Sequence, residues 1–259
     1  MIPIDTTLIQ VIASRCGVTV RQAEHTVQLL AEGATIPFIS RYRKERTGGL
    51  DEVQVSAVKE QFERLSELGK RKETILASID EQGKLTPELR MKIEQCYEGA
   101  PLEDLYLPYR PKRRTRATVA REKGLEPLAA MLMRQDGARP DRLAERFVGG
   151  EVHDLQEALD GACDIIAEWV SESEAARSAM RRLFTREGVI SARVVKGKEQ
   201  EGAKYSDYFD WSEPLRRVAA HRLLAMVRAE REGFIKLSVL PDESAAVEQL
   251  ERIFIKRNP

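Results

Sequence analysis

The stretch from Ala34 to Glu52 reads ATIPFISRYRKERTGGLDE and contains a helix start, a helix stop and a second helix start. Thr35 is a favourable N-terminal cap, and a proline in the first turn is tolerated because its missing N–H would have no intrahelical partner. Gly48 and Gly49 supply the stop. The spacing Asp51-x-x-Gln54 then predicts a new capped helix. The stretch therefore indicates a helical fold in which a short basic helix precedes a longer one.

The helix that begins at Asp51 is predicted to continue to Gln82. Apolar residues recur along it at intervals of three and four, the spacing of one helix face: Val55, Val58, Phe62, Leu65, Ile75, Leu76 and Ile79. At 1.5 Å per residue such a helix is roughly 45 Å long, and Gly69 is a point at which it can bend. A helix of this length predicts an elongated molecule.

A helix-turn-helix-like unit is predicted next. Gly83 begins a short turn, and Thr86 followed by Pro87 starts a further helix that ends near Gly99. Any two packed antiparallel helices produce the same spacing. A DNA-reading helix should present residues suited to base edges, whereas this exposed face carries a mixed set without a cationic excess: Glu88, Arg90, Lys92, Glu94 and Gln95. The spacing alone therefore leaves both interpretations open.

The second half of the chain changes from helical to β-like patterns after Gly188. Helices are predicted over residues 125–135, 154–170, 171–184 and 244–255. Two short segments rich in β-branched or alternating residues, 189–195 and 234–240, predict strands. Between them, Ser212 and Pro214 predict the start of an amphipathic helix, with the serine as its cap.

The predicted fold class is mostly α: an elongated helical bundle with a long central helix, a helix-turn-helix-like unit and a small β element near 189–195 and 234–240. Three parts follow from this order of elements. Residues 1–70 form N-terminal helices, residues 71–109 form the helix-turn-helix-like unit, and residues 110–259 form a helical core with minor β structure.

The composition limits the classes of function. The chain has 259 residues, 42% of them hydrophobic and 32% charged, and its 42 Lys and Arg balance its 42 Asp and Glu. Affinity for a polyanion must therefore come from local clustering of charge. Three dispersed cysteines and three histidines make a zinc site improbable. No targeting segment and no run as long as a membrane span is present, so we expect a cytoplasmic protein without a membrane partner.

A second cluster, LYLPYRPKRRTR from Leu105 to Arg116, mixes aromatic residues with cations on a stretch whose prolines disfavour a regular helix. From Arg110 to Lys123 there are seven cations against one anion, Glu122, an excess of six. Such a segment suits phosphate binding, and its tyrosines suit stacking on unpaired bases. The candidate residues are Lys112, Arg113, Arg114, Arg116, Tyr106 and Tyr109. The alternative is that the tyrosines pack inward and the cations are only solvated or bridge to another domain.

The first cluster offers further candidates. At 100° per residue, Arg41 and Lys44 fall on one flank of the predicted basic helix, while Arg43 and Arg46 fall on the other, beside an apolar stripe that includes Phe38 and Tyr42. One flank, that of Arg41 and Lys44, can face phosphate. Equally, the cations can pair with carboxylates of neighbouring helices and serve only the fold.

No catalytic constellation emerges from the sequence. Gly-rich phosphate loops and nucleophile elbows are absent, and acidic pairs such as Asp51-Glu52 lie at helix starts, where the helix dipole already favours them. We therefore expect no enzyme activity, no catalytic residues, no metal, no cofactor and no small-molecule substrate.

The motifs TIPFISRYRKERTGGLDE and LEDLYLPYRPKRRTRATVAREKGLEPLA together resemble the N-terminal region of the bacterial Tex family of transcription accessory proteins, within the wider group of S1 RNA-binding-domain proteins. The resemblance continues through residues 205–209, 212–214 and 230–233. It implies a cytoplasmic nucleic-acid-binding factor linked to transcription. It also implies an RNase H-like domain, helix-hairpin-helix elements and an S1 domain further along, and we expect these parts to lie outside these 259 residues. The S1 domain is expected to be the main nucleic-acid binder, and no catalytic residue of the family maps onto this chain.

Two functional hypotheses follow. In the first, the chain is the helical scaffold of a Tex-like factor and makes auxiliary contacts to single-stranded RNA or DNA, without base specificity, through Lys112, Arg113, Arg114, Arg116, Arg41, Lys44 and Tyr109. In the second, it is a structural or protein-interaction module that docks on RNA polymerase or on the missing domains.

Overall fold

A computed structural model describes residues 6–111 and 113–256 of the chain. The contacts between residues divide the chain into two compact units, Met1–Tyr109 and Arg110–Pro259.

Unit 1 is helical within its described residues. Its helices are α1 Thr6–Cys16, α2 Val20–Ala31, α3 Ile36–Tyr42, α4 Lys44–Thr47, α5 Glu52–Glu81, α6 Pro87–Glu94 and α7 Gly99–Tyr106, followed by a 3-10 turn at Leu107–Tyr109. Local capping explains several of these starts, because the side chains of Thr19, Thr35, Asp51 and Thr86 each accept a hydrogen bond from the backbone N–H three residues on.

The prediction of one continuous basic helix after Thr35 is wrong. Arg43 has φ −130° and ψ 26°, so α3 ends at Tyr42 and the single turn of α4 follows it. The predicted stop is confirmed, because Gly48 adopts the left-handed conformation with φ 63° and caps α4.

The long helix predicted from Asp51 is confirmed as α5, which passes through Gly69 without interruption. Its first half packs on α1 and α2 through Val58 and Leu65, which join a buried cluster that includes Ile12 and Val27. Its second half contributes to another cluster, whose buried members are Ile75, Ile79, Ile93, Leu102 and Tyr106. The two clusters are separate because α1 and α2 cover one end of α5, while α6 and α7 cover the other.

Unit 2 begins with helices, and its second half contains a small sheet that packs against one helix. Its helices are α8 Arg116–Glu122, α9 Glu126–Arg134, α10 Pro140–Ala144, α11 Leu155–Glu172, α12 Glu174–Glu187, α13 Ala220–Arg231 and α14 Glu243–Phe254, with 3-10 turns at Glu145–Phe147, Ala203–Tyr208 and Leu215–Arg217. The helical core is dominated by α11, which packs against α8, α9 and α10. Leu128 and Ile165 are fully buried there.

The predicted β element is confirmed and is larger than expected. β1 Val189–Val194 is the central strand of an antiparallel sheet, with β2 Asp210–Pro214 on one side and β3 Ile235–Leu240 on the other. Met226 and Ala229 of α13 are buried in the same cluster as Ile190 and Ile235 of the sheet. The sheet is thereby tied to a helix that lies between β2 and β3 in the chain.

The helix predicted to start at Ser212 is wrong, because this residue lies in β2 and α13 begins only at Ala220. The serine-proline pair is a local helix signal, but it was outweighed by pairing with β1. Trp211 turns inward and meets Tyr208 edge to face, with ring centroids 6.4 Å apart. Pro214 is the last residue of β2, which is an edge strand of the sheet and therefore tolerates proline.

The fold class is therefore mostly α with a small sheet, as the sequence predicts. Among the described helices, none combines the length and the apolar character that crossing a membrane requires.

Candidate nucleic-acid interface

An exposed surface on α3 and α4 combines two aromatic rings with cations; we call it the aromatic patch, formed by Phe38, Arg41, Tyr42, Arg43 and Lys44. Ile39 and Ser40 are buried beneath it. Phe38 is 40% exposed and Tyr42 67% exposed. Their ring centroids are 5.7 Å apart, and the Arg43 guanidinium lies 5.3 Å from the Phe38 centroid. The patch thus presents flat apolar faces beside positive charge.

The cations of the aromatic patch are not neutralised locally. Arg41, Arg43, Lys44 and the neighbouring Arg46 are all exposed. Within residues 6–111 and 113–256, none of these four side chains forms an ion pair. The alternative that they pair with carboxylates of neighbouring helices therefore finds no support in this part of the chain.

The backbone under the aromatic patch is held against α2. Gln22 Nε2 donates a hydrogen bond of 3.2 Å to the carbonyl oxygen of Gly48. His25 Nδ1 lies 2.7 Å from the carbonyl oxygen of Arg46. Thr47, which lies between Arg46 and Gly48 in the sequence, is fully buried. These contacts from α2 hold the end of α4, and with it the backbone that carries the aromatic patch, in place.

The basic segment Arg110–Arg116 belongs to unit 2 and leads into α8. Thr115 caps this helix: its Oγ1 accepts from the Thr118 N–H at 3.1 Å and donates to Glu168 Oε2 at 3.2 Å. Lys112 lies outside the described residues. Arg110 and Arg113 are exposed and have no partner in the described part of the chain.

Carboxylates of the same unit meet most of the other cations of this region. Arg114 pairs with Glu122 at 2.8 Å, and Arg116 pairs with Asp164 at 3.3 Å. Deeper in the structure, the remaining pairs join α8 and the residue after it to α9 and α11: Arg121 with Glu126 and Glu168, and Lys123 with Glu157. The excess of six positive charges counted along the sequence is therefore reduced in three dimensions.

The cations of these ion pairs differ in how much of the side chain stays exposed to solvent. The Arg116 side chain is 87% exposed and that of Arg114 is 70% exposed, so both can still meet a phosphate group. Lys123 is more enclosed, and its ammonium, together with the His153 N–H, lowers the pKa of the Glu157 carboxyl below its ordinary value. Arg121 and Lys123 thus hold α8 on α11, while Arg114 and Arg116 remain candidates for binding.

The two tyrosines of the second cluster have different surroundings. Tyr106 is only 8% exposed; its hydroxyl lies 3.1 Å from Ser78 Oγ and the Arg71 guanidinium lies 5.3 Å from its ring centroid. Stacking of Tyr106 on a base was therefore a wrong expectation. Tyr109 is half-buried against the same cluster, and its carbonyl oxygen accepts from Gln82 Nε2 at 2.8 Å.

The helix-turn-helix spacing is present as the end of α5, a short turn and α6, and the mixed polar residues of α6 are exposed as expected. The two interpretations of this spacing, a DNA-reading unit and two packed antiparallel helices, both stay hypotheses. Among the described residues, no three His, Cys, Asp or Glu side chains come together in a way that could hold a metal ion.

Sequence reasoning assigned Arg41 and Lys44 but missed Phe38, Tyr42 and Arg43 as parts of a surface. A signal was available, because Phe38 and Tyr42 are four residues apart and so share a helix face. Only the burial of Ile39 and Ser40 shows that this face is directed away from the core.

Two family models match the chain, one within each unit. Residues 6–80 match the family model described as Tex-like protein N-terminal domain, and residues 135–257 match the one described as Tex central region-like. The chain is 41% identical over 244 residues to the transcriptional accessory protein Tex of Neisseria gonorrhoeae, covering 93% of this chain and 32% of that protein. It is 45% identical over 235 residues to protein YhgF of Escherichia coli strain K12, covering 90% and 30%.

A more distant relative is the S1 RNA-binding domain-containing protein 1 of Homo sapiens, 26% identical over 248 residues, which is 90% of this chain and 24% of that protein. The chain spans about a third of the length of the bacterial relatives it matches. The two family matches and the identities above 40% lead to one conclusion: the chain belongs to the Tex family and carries the N-terminal region of that family.

Proposed function

We propose that this chain is the helical N-terminal scaffold of a cytoplasmic Tex-like transcription accessory factor and that it makes auxiliary, base-independent contacts to single-stranded nucleic acid. One observation carries the proposal: on α3 and α4, an exposed pair of aromatic rings lies among cations that form no ion pair within the described residues.

The chemistry of the aromatic patch fits a single strand better than a duplex. Unpaired bases expose flat faces that stack on aromatic side chains, and every base has such a face, so stacking does not depend on sequence. Arg41 and Lys44 beside the rings supply charge for the phosphates between the bases. The names of two relatives, one a transcriptional accessory protein and one an S1 RNA-binding domain-containing protein, support a role with nucleic acid.

The basic segment is proposed as a second, weaker contact. Arg113 is unpaired within the described residues, and Arg114 and Arg116 are exposed despite their partners. Lys112 and Tyr109 complete the set of candidate residues that the sequence indicates. Because Glu122 and Asp164 already pair with Arg114 and Arg116, each of these two arginines should contribute less to binding than a cation of the aromatic patch.

The test separates charge from stacking in the aromatic patch. Binding of a fluorescein-labelled twelve-nucleotide oligo(dT) is followed by fluorescence anisotropy at several salt concentrations. The double variant Arg41→Gln/Lys44→Gln should flatten the plot of log affinity against log salt by about 0.7 per lost phosphate contact. The double variant Phe38→Ala/Tyr42→Ala should weaken binding by about 1–3 kcal/mol for each base that loses its stacking partner, with the slope unchanged.

A matched control is Arg21→Gln/Lys70→Gln, which removes the same charge from two exposed positions of unit 1 outside the patch. This variant should leave both the slope and the affinity close to those of the unaltered chain. Unchanged slope in the first variant together with unchanged affinity in the second would refute binding by the aromatic patch.

The alternative function is a structural or protein-interaction module that docks on RNA polymerase or on further domains of a longer factor. It is favoured by one observation: all four cations from Arg114 to Lys123 pair with carboxylates of their own unit. Capture of purified RNA polymerase by the chain, with no oligonucleotide binding at low salt, would support this alternative.

We also propose that the chain has no enzyme activity of its own. Incubation of a labelled single strand with the chain and with Mg²⁺ or Mn²⁺ should leave the strand intact on a denaturing gel. Cleavage that depends on the added metal would contradict this proposal.

A further inference from the structure

A groove on unit 2 is lined by four arginines that neither the sequence patterns nor the family matches single out. It has a volume of about 410 Å³ and lies on the outer face of α12 beside the turn at Leu215–Arg217. Its lining among the described residues consists of Ser178, Arg181, Arg182, Thr185, Arg186 and Arg216. This lining contains no carboxylate and no aromatic ring.

The sheet brings the arginines together. β1 follows α12 directly, and its first residue, Val189, pairs with Pro214 at the end of β2. The Leu215 N–H then donates to the carbonyl oxygen of Gly188 at 2.8 Å. This bond fixes the turn that carries Arg216 against the end of α12, so a residue 30 positions away joins the helical arginines.

Gly188 is required at this junction. A Cβ at this position would overlap the carbonyl oxygen of Phe184, which belongs to the last turn of α12. Glycine therefore allows the chain to turn directly from α12 into β1, and this turn places the Gly188 carbonyl oxygen where it accepts from the Leu215 N–H beside the groove.

Of the four arginines, Arg181 has a partner and the other three differ in how they are satisfied. Arg182 donates to the neutral Ser178 hydroxyl at 2.8 Å, and Arg216 is exposed without a partner in the described ranges. Arg186 pairs with Glu187 at 2.6 Å, but this pair lies on the surface and is weakly held. The helix dipole favours a cation in the last turn of a helix, and this explains the position of Arg186 in α12. It does not explain Arg216, which lies outside α12 in the turn at Leu215–Arg217.

We propose that this groove binds phosphate groups of an anion that carries several of them. Guanidinium groups donate paired, charge-assisted hydrogen bonds to phosphate oxygens, and the hydroxyls of Ser178 and Thr185 add neutral donors. From Ser178 to Arg186 the helix rises about 12 Å, which is long enough to meet more than one phosphate. Because the lining offers no ring for a base, the groove recognises phosphates alone, either of a nucleic-acid backbone or of a free polyphosphate.

The test uses two probes that distinguish these sources. Inorganic tripolyphosphate has no base and is measured by titration calorimetry at low ionic strength, in the same background as the second probe, so that Arg41 and Lys44 cannot contribute to its binding. Labelled oligo(dT) is measured by anisotropy in the background Arg41→Gln/Lys44→Gln/Phe38→Ala/Tyr42→Ala, which removes the proposed contribution of unit 1. The groove variant is Arg182→Gln/Arg216→Gln.

We expect the groove variant to weaken binding of at least one probe by about tenfold or more, because each lost guanidinium removes charge-assisted hydrogen bonds. Binding of tripolyphosphate assigns the groove to free polyphosphate, whereas binding of oligo(dT) alone assigns it to a nucleic-acid backbone. The control Arg142→Gln/Arg252→Gln removes two exposed arginines of the same unit, each paired within its own helix region, and should bind as before.

Three results would overturn the proposal: no binding of either probe by the unaltered groove, wild-type affinity in the groove variant, or equal loss in the control. Far-ultraviolet circular dichroism and thermal unfolding of every variant show whether the fold is kept. None of these results depends on whether the aromatic patch binds nucleic acid.

Discussion

Gly161 in α11 and Gly69 in α5 are both glycines inside helices, yet their surroundings are opposite. A Cβ at Gly161 would overlap Leu125 Cδ1 and come within 3.3 Å of Ala120 Cβ. At Gly69 no atom lies within 4 Å of such a Cβ. The first glycine therefore permits α11 to pack closely on its neighbours, whereas the second only adds backbone freedom to the unfolded chain.

The two glycines should respond to substitution with opposite signs. Gly161→Val should lower the free energy of unfolding by about 1–3 kcal/mol through overpacking. Gly69→Ala should raise it by about 0.5–1 kcal/mol, since alanine is the better helix former. Chemical denaturation followed by circular dichroism measures both. A stabilised Gly161→Val would mean that the core around Leu125 adapts freely.

At the scale of elements, α5 organises unit 1 because each of the three hydrophobic clusters described in this unit uses residues of this helix. Its start depends on a capping box: Asp51 Oδ1 accepts from the Gln54 N–H at 2.8 Å, and the Asp51 N–H donates to Gln54 Oε1 at 3.1 Å. The turn at Gly48, which precedes this cap, is held to α2 by the hydrogen bond from Gln22. The aromatic patch lies just before this junction.

Removal of the cap should therefore destabilise unit 1. Asp51→Ala should cost about 1 kcal/mol of unfolding free energy, because the N–H of Gln54 loses its acceptor. Asp51→Asn keeps an acceptor and serves as the control, with a smaller loss expected. Urea denaturation followed by far-ultraviolet circular dichroism measures both. Equal losses in the two variants would show that the negative charge of Asp51 matters more than its hydrogen bond.

At the scale of the whole chain, the net charge is zero but the charges are unevenly arranged. Ion pairs such as Arg71 with Glu103 and Arg64 with Glu98 join elements within unit 1. Within the described residues, the cations that form no ion pair include Arg41, Arg43 and Lys44 of the aromatic patch and Arg216 of the arginine groove. Local arrangement rather than total charge therefore determines where an anion can bind.

Each unit has its own hydrophobic clusters, which predicts independent folding. Fragments 1–109 and 110–259 are both within the usual size of a domain. We expect each fragment to unfold in a single cooperative thermal transition with its helical signal retained. A fragment that stays unfolded by circular dichroism would show that it needs the other. The finer division at residue 70 stays a prediction, and α5 passes through that position.

Much of the helical fold could be predicted because its signals are local. The caps at Thr35, Asp51 and Thr86 and the stop at Gly48 act over about four residues, so the sequence displays them directly. β2 could not be predicted in this way. Its pairing with β1 joins residues about twenty apart and overrode the helix signal of Ser212.

The candidate sites follow the same division. By itself, the sequence determined the mostly helical fold, the family and the two clusters of cations, since these depend on residue identity and short spacing. Only the tertiary structure decided that Phe38 and Tyr42 are exposed, that Tyr106 is buried, that Asp164 and Glu122 meet two arginines of the basic segment and that Arg216 joins α12. The physical reason is that burial and charge pairing depend on which distant segments fold against each other. The local spacing of residues does not show which distant segments come into contact.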